Sequence, residues 1–350
     1  MKLRIGIVGA TGIVGSELIT LIAERGTPVG TLRLFASEKS GGKKVPFGED
    51  LVIVEKLESR KLTNFDYLFF CSNEGVSREF LPTAAANGIC CIDNSAAFRE
   101  RGDVPLVVPE INSHALAEHK NVIANPNCST IITLMAIFPL HVAFGLKKFC
   151  ATTYQAVSGV GCSGIEALNR AIDGNHAMSE EIFGEQILFN AVPKVGKFFA
   201  NGYTSEEMKM LNESRRILGF PDLRVSSTCV RIPAMRAHSI SVIAEFERSF
   251  DLCVAQRILR ENEHVDYFPG TSFPSAIERT KKDRVGVGRL RVDTFFDNGA
   301  TMWVVGDQIR KGAALNALQI MELLEFQKCK STPIPLVVQD VRAKTMPSSG

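Results

Sequence analysis

Residues 3–24 read LRIGIVGATGIVGSELITLIAE, and this stretch decides the fold. Its first part, Leu3 to Val8, is short, apolar and rich in β-branched residues, which predicts a buried β-strand. Glycines then recur at every third position from Gly9 to Gly15, and apolar residues return at helical spacing after Ser16. A strand, a glycine-rich turn and a helix in immediate succession are the context that a dinucleotide-binding fingerprint requires.

The glycine pattern of residues 9–15 is GxxGxxG rather than GxGxxG. The first glycine would permit a tight turn, the second the close approach of a pyrophosphate, and the third the packing of the helix on the strand. Free N–H groups at the helix N-terminus would bind the phosphates. A glycine-rich turn without a ligand is the alternative interpretation. The candidate cofactor-binding residues are Gly9, Thr11, Gly12, Ile13, Val14 and Gly15.

Apolar runs and helical patterns alternate along the first third of the chain. A helical pattern covers 76–87, and the further strand-like runs are 31–36, 67–71, 89–93 and 121–124. Strands that alternate with helices predict a parallel, doubly wound, Rossmann-like sheet of the α/β class.

The pattern changes after Pro126. Helices are predicted at 129–143, 206–218 and 313–327, and strands with alternating apolar and polar residues at 225–232, 239–246, 287–296 and 301–305. Alternation is typical of a mixed or antiparallel sheet, so a second, α+β domain is predicted. The predicted division is a first domain of residues 1–128 and 312–330, a second domain of residues 129–311, and a tail of residues 331–350.

The composition narrows the class of protein. The chain has 350 residues, 45% of them hydrophobic, with 40 basic and 38 acidic side chains. This excludes a largely disordered or fibrous protein, and so balanced a charge does not require nucleic acid or an anionic membrane as a partner. Neither a signal peptide nor a membrane-spanning run of about 20 apolar residues is evident. The nine cysteines lack zinc-site spacing, which predicts no metal and a reducing, cytoplasmic compartment.

The end of the second predicted strand bears on the choice of nicotinamide cofactor. An acidic residue there would favour NAD by binding the ribose hydroxyls. The sequence instead reads ASEKSGGK at 36–43, in which hydroxyls and a cation suit the 2′-phosphate of NADP, with Glu38 as the exception. Ser37, Lys39 and Ser40 are therefore candidate cofactor ligands, and an exposed polar loop is the alternative.

The sharpest local signal is NPNCST at 125–130, directly before an apolar helix. Pro126 disfavours helix before it and Ser129 favours a helix start, so Cys128 would lie near the first helical turn. There the helix dipole and free N–H groups would lower the pKa of the thiol, and a thiolate is what a thioester-forming nucleophile requires. The other eight cysteines are interpreted as packed structural residues.

Cys128 requires an acid–base partner, and His238 stands out among the six histidines. It follows RIPAMRA at 231–237, which joins two predicted strands. Arg231 at the end of one strand and His238 at the start of the next could therefore face one pocket. A satisfied polar histidine is the alternative.

A glycine- and serine-rich segment follows the strand-like run at 149–154. Gln155 ends this run and could present its amide to a reacting centre. Ser158 and Gly159 lie in the loop that follows, which could cross the cofactor. A flexible loop without a ligand is the alternative.

Together these elements resemble the bacterial aspartate-β-semialdehyde dehydrogenases. The resemblance extends to about residue 330 and rests on motifs that occur in order: GATGIVG at 9–15, ASEKSGGK at 36–43, DNSAAFR at 93–99, VPEIN at 108–112, NPNCST at 125–130, TYQAVSGVG at 153–161, ESRR at 213–216, RIPAMRAHS at 231–239 and KGAALNALQIMELL at 311–324. It implies NADPH-dependent reductive dephosphorylation of L-4-aspartyl phosphate to L-aspartate 4-semialdehyde and phosphate. That reaction feeds lysine, threonine, methionine and diaminopimelate synthesis. Homodimers or homotetramers built through the second domain are also implied.

The resemblance further implies a role for individual residues. Cys128 would be the nucleophile, His238 the acid–base that takes the thiol proton, and Gln155 the residue that orients the acyl intermediate. The ligands that it implies are Arg231 for the substrate carboxylate, Glu213 for its ammonium, Arg99, Asn127 and Arg216 for phosphate, and Gly312 and Asn316 for the nicotinamide.

Two departures from the family pattern stand out: Ser239-Ile240-Ser241 follows His238, where an acidic residue often appears two positions after the histidine, and a phosphate ligand is changed. The third phosphate ligand of the family is usually the lysine of a Glu-x-x-Lys motif, whereas the matched pair here is Glu213 and Arg216. Because lysine and arginine differ in geometry, altered phosphate affinity is expected.

Two other functions are compatible with this architecture. N-acetyl-γ-glutamyl-phosphate reductase would share the thioester chemistry, but its acylated nitrogen carries no charge for Glu213 to pair with. A non-catalytic, dinucleotide-binding relative would be expected to lose the nucleophile or the histidine, and this chain keeps both Cys128 and His238.

Overall fold

In the computed structural model, which describes residues 2–330, the opening stretch forms the predicted strand and helix. Strand β1 is Leu3–Val8 and helix α1 is Ile13–Glu24. The side chains on one face of α1 are buried, as the helical spacing predicts; they include Leu18, Leu21 and Ile22. The predicted tail of residues 331–350 lies outside the described residues.

A seven-stranded sheet contains β1 and confirms the predicted doubly wound architecture. Its other strands are β2 Val29–Ala36, β3 Lys44–Phe47, β4 Asp50–Lys56, β5 Tyr67–Phe70, β6 Cys90–Asp93 and β7 Val122–Ala124. The order is β3-β4-β2-β1-β5-β6-β7. All neighbours pair in parallel except the antiparallel hairpin of β3 and β4 at one edge.

The strand order reverses at β1, which pairs with β2 on one side and with β5 on the other. In open α/β sheets, ligands bind outside the carboxyl ends of the strands at this reversal. The glycine-rich turn begins there, because Gly9 directly follows β1 and its N–H donates to the carbonyl of Phe35, near the end of β2. The fold therefore presents the turn where a nucleotide would bind.

A second sheet has six strands and mixed directions, as predicted for an α+β domain. Its strands are β8 Leu146–Gln155, β9 Arg224–Arg231, β10 His238–Phe246, β11 Val265–Phe268, β12 Val285–Val292 and β13 Gly299–Gly306, in the order β11-β12-β13-β10-β8-β9. The pairs β8–β9 and β11–β12 are parallel, and the other three pairs are antiparallel.

Helices flank both sheets. They are α2 Glu74–Ala86, α3 Pro109–Asn112, α4 Cys128–Phe144, α5 Cys162–Ile172, α6 Ala177–Phe183, α7 Ser205–Ile217, α8 Leu252–Glu261, α9 Ala276–Arg279 and α10 Leu315–Lys330. A π-helical turn, Arg310–Ala314, precedes α10. Leu318 and Met321 of α10 share one apolar cluster with Ile5, Ile7 and Leu18, so the chain returns to the first sheet at its end.

Candidate active site

One cavity of about 480 Å³ brings together side chains that lie far apart in the sequence. Among its lining residues are Cys128, Gln155, Arg231 and His238, with Val14 from the end of the glycine-rich turn. The four polar residues come from α4, β8, β9 and β10. The cavity thus lies between the nucleotide-binding edge of the first sheet and one edge of the second.

Strand register explains why three of these residues converge. Gln155 and Arg231 are the last residues of the parallel strands β8 and β9 and are register partners. His238 is the first residue of β10, which runs antiparallel to β8, so it lies at the same edge of the sheet. The residue before it, Ala237, has a left-handed φ of 69°, and its N–H donates to Gln308 Oε1 at 2.8 Å. This hydrogen bond helps to hold Ala237 in a backbone conformation that is unfavourable for alanine. That conformation sets the direction in which β10 begins.

Cys128 is the first residue of α4, as predicted from the NPNCST motif. The side chain of Asn127 caps the helix by accepting the N–H groups of Ser129 at 3.0 Å and Thr130 at 3.3 Å. The expectation of a lowered thiol pKa is wrong for this structure. Burial raises the pKa of the Cys128 thiol to about 11, Glu206 adds to the rise, and Arg99 and Arg231 oppose it. In this structure burial thus opposes the thiolate that a helix start favours.

Gln155 is held by its amide nitrogen. Its Nε2 donates to the Ser129 hydroxyl at 2.9 Å and to Glu206 Oε1 at 3.1 Å. Its Oε1 is buried and has no hydrogen-bond partner within residues 2–330. The amide is therefore fixed next to the start of α4, and its oxygen remains free to accept a hydrogen bond.

His238 is fully buried beside Arg231. Its Nδ1 accepts the backbone N–H of Ala156 at 3.1 Å, and Arg231 Nη1 donates to the carbonyl of Ala156 at 2.6 Å. Burial, and then the charge of Arg231, lower the pKa of the imidazole to about 3, although Glu206 acts in the opposite direction. His238 is therefore a neutral imidazole across the physiological range.

The predicted phosphate ligands Arg99 and Asn127 both line the cavity. Arg99 donates from Nε to the carbonyl of Asn125 and from Nη2 to that of Asn94, each at 2.8 Å. Asn127 donates from its amide to Glu206 Oε1, also at 2.8 Å. Both side chains are mostly buried, so they are held in place before any anion binds.

The structure does not bring the predicted substrate ligands Glu213 and Arg216 to the cavity. Neither residue lines the cavity. Glu213 is buried, and it accepts the backbone N–H of Asn127 at 2.6 Å and Arg99 Nη1 at 3.2 Å. Arg216 instead donates to the carbonyls of Arg99 and Val104.

Glu206 and Lys209 occupy the cavity in their place. They form a Glu-x-x-Lys pattern seven residues before the matched pair Glu213 and Arg216, and Lys209 Nζ lies 3.2 Å from Glu206 Oε2. Seven residues are about two turns of α-helix, so the two pairs share one face of α7 and repeat the same spacing of acid and base. The sequence signal that could have pointed to the pair in the cavity is the capping box, in which Thr204 caps α7 and Glu207 is the N3 residue. It places Glu206 and Lys209 in the first turns of the helix.

The predicted nicotinamide ligand Asn316 does not line the cavity. Its side chain is fully buried, and its Nδ2 donates to Asn125 Oδ1 at 2.7 Å and to the carbonyl of Val107 at 3.0 Å. Its Oδ1 accepts Lys311 Nζ at 3.0 Å. Asn316 therefore acts on the cavity only through Asn125, which does line it.

The predicted loop residues Ser158 and Gly159 do line the cavity. The Ser158 hydroxyl accepts Gln308 Nε2 at 2.6 Å. A Cβ on Gly159 would lie 2.7 Å from Arg231 Nη1 and 3.5 Å from His238 Nε2. The loop therefore passes directly over these two side chains, and only glycine fits at position 159 without moving them.

Gly312 in the π-helical turn lies against Cys128. A Cβ there would lie 2.8 Å from the Cβ of Cys128 and 3.2 Å from its Cα. We expect Gly312→Ala to destabilise the protein by about 1–3 kcal/mol, because either the backbone at Gly312 or the start of α4 must move to make room for the methyl group. The same movement should change the rate at which Cys128 is alkylated. Thermal unfolding and iodoacetamide labelling would measure both effects. Gly102→Ala is the matched control, since nothing lies within 4 Å of the added Cβ there; equal behaviour of the two variants would contradict this packing.

The glycine-rich turn has the shape that a dinucleotide requires. Gly9 has a φ of 84°, and a Cβ there would lie 2.4 Å from the Cys71 carbonyl oxygen. A Cβ on Gly15 would lie 2.3 Å from the Gly9 carbonyl oxygen, so the third glycine permits the close helix contact. The Thr11 hydroxyl lies 3.4 Å from that of Ser40, which joins the turn to the loop after β2. These residues fit a bound dinucleotide, with its phosphates at the N-terminus of α1.

Within residues 2–330, no group of three or more His, Cys, Asp or Glu side chains is arranged to hold a metal ion. In the same part of the chain, no helix combines the length and apolar character needed to cross a membrane.

Two family models match the chain. Residues 4–119 match the NAD binding domain of semialdehyde dehydrogenase, and residues 137–311 match its dimerisation domain. The aspartate-semialdehyde dehydrogenase of Aquifex aeolicus is 41% identical over 334 residues, which cover 93% of this chain and 98% of the relative. The aspartate-semialdehyde dehydrogenase 2 of Vibrio cholerae is 40% identical over 329 residues, which cover 92% and 98%.

Solved structures agree with these matches. The crystal structure of aspartate semialdehyde dehydrogenase II from Vibrio cholerae complexed with ASA is similar to this structure with a TM-score of 0.90 and 39% identity, covering 93% of this chain and 99% of that one. The Candida albicans enzyme with NADP shares the fold at 23% identity and a TM-score of 0.74.

Proposed function

The chain belongs to the family of aspartate-semialdehyde dehydrogenases, and we infer that the cavity around Cys128 is its active site. It is an oxidoreductase of amino-acid biosynthesis that converts L-4-aspartyl phosphate and NADPH to L-aspartate 4-semialdehyde, phosphate and NADP, reversibly. The observation that carries the assignment of the site is the convergence of Cys128, Gln155, Arg231 and His238 on one cavity at the nucleotide-binding edge.

Cys128 is the proposed nucleophile. Its thiol would attack the acyl carbon and release phosphate, leaving a thioester on the enzyme. The placement of Cys128 at the first residue of α4, in the same cavity as the Gln155 amide, supports this role. When bound, NADPH supplies the hydride that reduces the thioester to the aldehyde.

The substrate's charges suggest ligands for each of its ends. Arg231 is the proposed carboxylate ligand, since a single hydrogen bond to Ala156 commits only Nη1 of its guanidinium fork. Glu206 is the proposed ammonium ligand, in place of Glu213. Arg99, Asn127 and Lys209 would bind phosphate, with Lys209 in place of Arg216.

NADP is the proposed dinucleotide on the strength of the loop after β2. Ser37 and Lys39 are exposed there, and Glu38 is paired with Lys56 at 3.0 Å, which offsets its negative charge. We expect Lys39→Ala to weaken NADPH binding by about tenfold, because one phosphate contact is lost, and to leave NADH binding within about twofold. Fluorescence titration of both cofactors would measure this. Lys43→Ala is the control, and an equal loss for NADH would contradict 2′-phosphate recognition.

Domain boundaries and assembly follow as proposals. The apolar cluster that joins α10 to β1 supports a discontinuous nucleotide-binding domain of residues 1–128 and 312–330, with residues 129–311 as the catalytic and dimerisation domain.

The chain carries a dimerisation domain, and we propose a homodimer or a homotetramer built through it. The nine cysteines are all free, which supports a cytoplasmic location.

A substrate assay tests the assignment. Phosphate-dependent reduction of NADP by L-aspartate 4-semialdehyde is the expected result, with N-acetyl-glutamate 5-semialdehyde as the competing substrate. The family relatives and the carboxylate of Glu206 in the cavity both disfavour the acylated substrate. Preference for that substrate, or no turnover with either, would contradict the assignment.

A further inference from the structure

Lys311 lies in the π-helical turn before α10, and its side chain is buried. Its ammonium is paired with both carboxylate oxygens of Glu110, at 2.8 Å and 2.6 Å. It also donates to Gln319 Oε1 at 2.8 Å and to Asn316 Oδ1 at 3.0 Å. A buried ion pair adds little net stability, because both charges lose their hydration. An ammonium can only donate hydrogen bonds, however, so it fixes the direction in which its neighbours are oriented.

The direction set by Lys311 continues through three side-chain amides toward the cavity. Asn316 turns Oδ1 to the lysine, and its Nδ2 donates to Asn125 Oδ1 at 2.7 Å. Asn125 donates from Nδ2 to Asn94 Oδ1 at 3.0 Å, and Asn94 donates from Nδ2 to the carbonyl of Phe70 at 3.2 Å. Reversing any one of these amides would set two oxygens or two N–H groups against each other. We call the three asparagines the amide chain.

The last two residues of the amide chain hold the guanidinium of Arg99. Arg99 donates from Nε to the backbone carbonyl of Asn125 and from Nη2 to that of Asn94, each at 2.8 Å. Its Nη1 lies 3.2 Å from Glu213 Oε1. Arg99, Asn125 and Asn94 all line the cavity. A guanidinium held by two backbone segments moves with them, so a shift of either segment would change how Arg99 meets an anion.

We propose that Lys311 is a positioning residue for phosphate binding, which it governs by orienting the amide chain that holds Arg99. This role rests on the proposed function of the cavity. Lys311 does not itself line the cavity, so it acts on the anion only through the residues that it orients. The proposed ligands of the semialdehyde, Arg231 and Glu206, come from β9 and α7 and lie outside the amide chain. Loss of Lys311 should therefore affect phosphate and spare the semialdehyde.

The first test removes the lysine. Lys311→Met keeps a similar volume without the donor, and Glu110→Gln in the same protein avoids leaving a buried carboxylate unpaired. At saturating NADP, we expect this double variant to raise KM for phosphate by about tenfold and KM for L-aspartate 4-semialdehyde by less than about twofold. Glu110→Gln alone retains the lysine, and its KM for phosphate should stay within about threefold of wild type.

Gln319 provides the matched control. It accepts a hydrogen bond from the same ammonium, but it is not part of the amide chain and donates instead to Glu110 Oε1 at 3.0 Å. Gln319→Leu should therefore leave both KM values within about twofold of wild type. A general loosening around Lys311 would affect the control and the double variant alike.

Asn316→Asp tests the direction of the amide chain while the ion pair of Lys311 and Glu110 is kept. Aspartate retains an acceptor for the lysine but has no N–H for Asn125, so an oxygen would face Asn125 Oδ1. We expect KM for phosphate to rise by about tenfold in this variant as well. This variant also keeps the proposal testable if the double variant does not fold.

A further measurement needs no turnover. The backbone N–H of Asn125 donates to the carbonyl of Asp93 at 2.8 Å, and that of Asn94 to the carbonyl of Phe70 at 2.9 Å. Both report on the segments that the amide chain holds. Hydrogen exchange of the intact protein over residues 90–99 and 121–128, read by mass spectrometry, should be at least about threefold faster in the double variant and in Asn316→Asp. It should be unchanged in Gln319→Leu.

Three results would overturn the proposal: an unchanged KM for phosphate in the double variant and in Asn316→Asp, an equal rise of both KM values, or exchange rates equal to those of wild type. If the wild-type protein showed no phosphate-dependent turnover, the proposed function would fail, and the exchange rates would still decide the role of Lys311.

Discussion

Cys128→Ser should lower phosphate-dependent NADP reduction by L-aspartate 4-semialdehyde by at least about 10⁴-fold. The hydroxyl is a far weaker nucleophile than the thiol, and the burial that raises the thiol pKa to about 11 would hinder a serine alkoxide further. The fold should survive, because serine is slightly smaller and is also favoured at a helix start. Steady-state rates would show the loss. Mass spectrometry of the quenched enzyme with acyl phosphate should show an acylated wild-type chain and an unmodified variant.

The control for this prediction is Cys150→Ser. Cys150 is exposed on β8, the strand that ends in Gln155, so its substitution tests whether losing any thiol near the site matters. Its rate should stay within about twofold of wild type, as expected for a surface substitution. If Cys128→Ser kept more than a tenth of the activity, a covalent route through this sulfur would be excluded.

The strands and helices that position the active site were predictable from local patterns. The run from Leu3 to Val8 matched β1, and the apolar helix after NPNCST matched α4 to within one residue at each end. These segments are buried along their whole length or on one face, so their hydrophobic pattern is strong. The convergence of Gln155, Arg231 and His238 was also foreseeable, since it needs only strand ends at one sheet edge.

Several short strands and helices have only a weak pattern in the sequence. The hairpin of β3 and β4 lies at an exposed edge, where Leu51 and Ile53 are more than half exposed, so no buried face marks it in the sequence. The short helices α6 and α9 lack the length over which helical periodicity becomes visible. Such segments are held by tertiary contacts rather than by local preference.

The electrostatics of the site were the least predictable part. The helix start around Cys128 favoured a thiolate in the sequence analysis, but the thiol pKa depends on burial and on Glu206, which joins the site only in three dimensions. The state of His238 likewise depends on the Ala156 N–H, a backbone group without any sequence signature. The sequence pattern indicates which residues come together at the site. Their protonation states depend on burial and on all the neighbouring groups in the folded structure.

The second large effect separates the two acid–base pairs of α7. Lys209→Ala should lower kcat/KM for phosphate by about 10³-fold, because it removes a cation from the cavity that receives the anion. Arg216→Ala should leave kcat/KM for phosphate within about threefold and lower the free energy of unfolding by about 1–3 kcal/mol, since the carbonyls of Arg99 and Val104 lose their donor. Initial rates over a range of phosphate concentrations and urea unfolding would measure both.

Charge and geometry at position 209 can be separated by Lys209→Arg. It keeps the cation but changes its shape, so it should recover most of the loss in phosphate affinity without reaching wild type. Lys209 also neutralises Glu206 at 3.2 Å, and the alanine variant should therefore raise KM for the semialdehyde as well, whereas Arg216→Ala should not. A loss confined to Arg216→Ala would restore the pairing of Glu213 with Arg216 as the phosphate motif. A loss of kcat/KM for phosphate confined to Lys209→Ala would establish that the phosphate motif is Glu206 with Lys209, two helical turns before Glu213 and Arg216. The reason is that only the first turns of α7 reach the cavity.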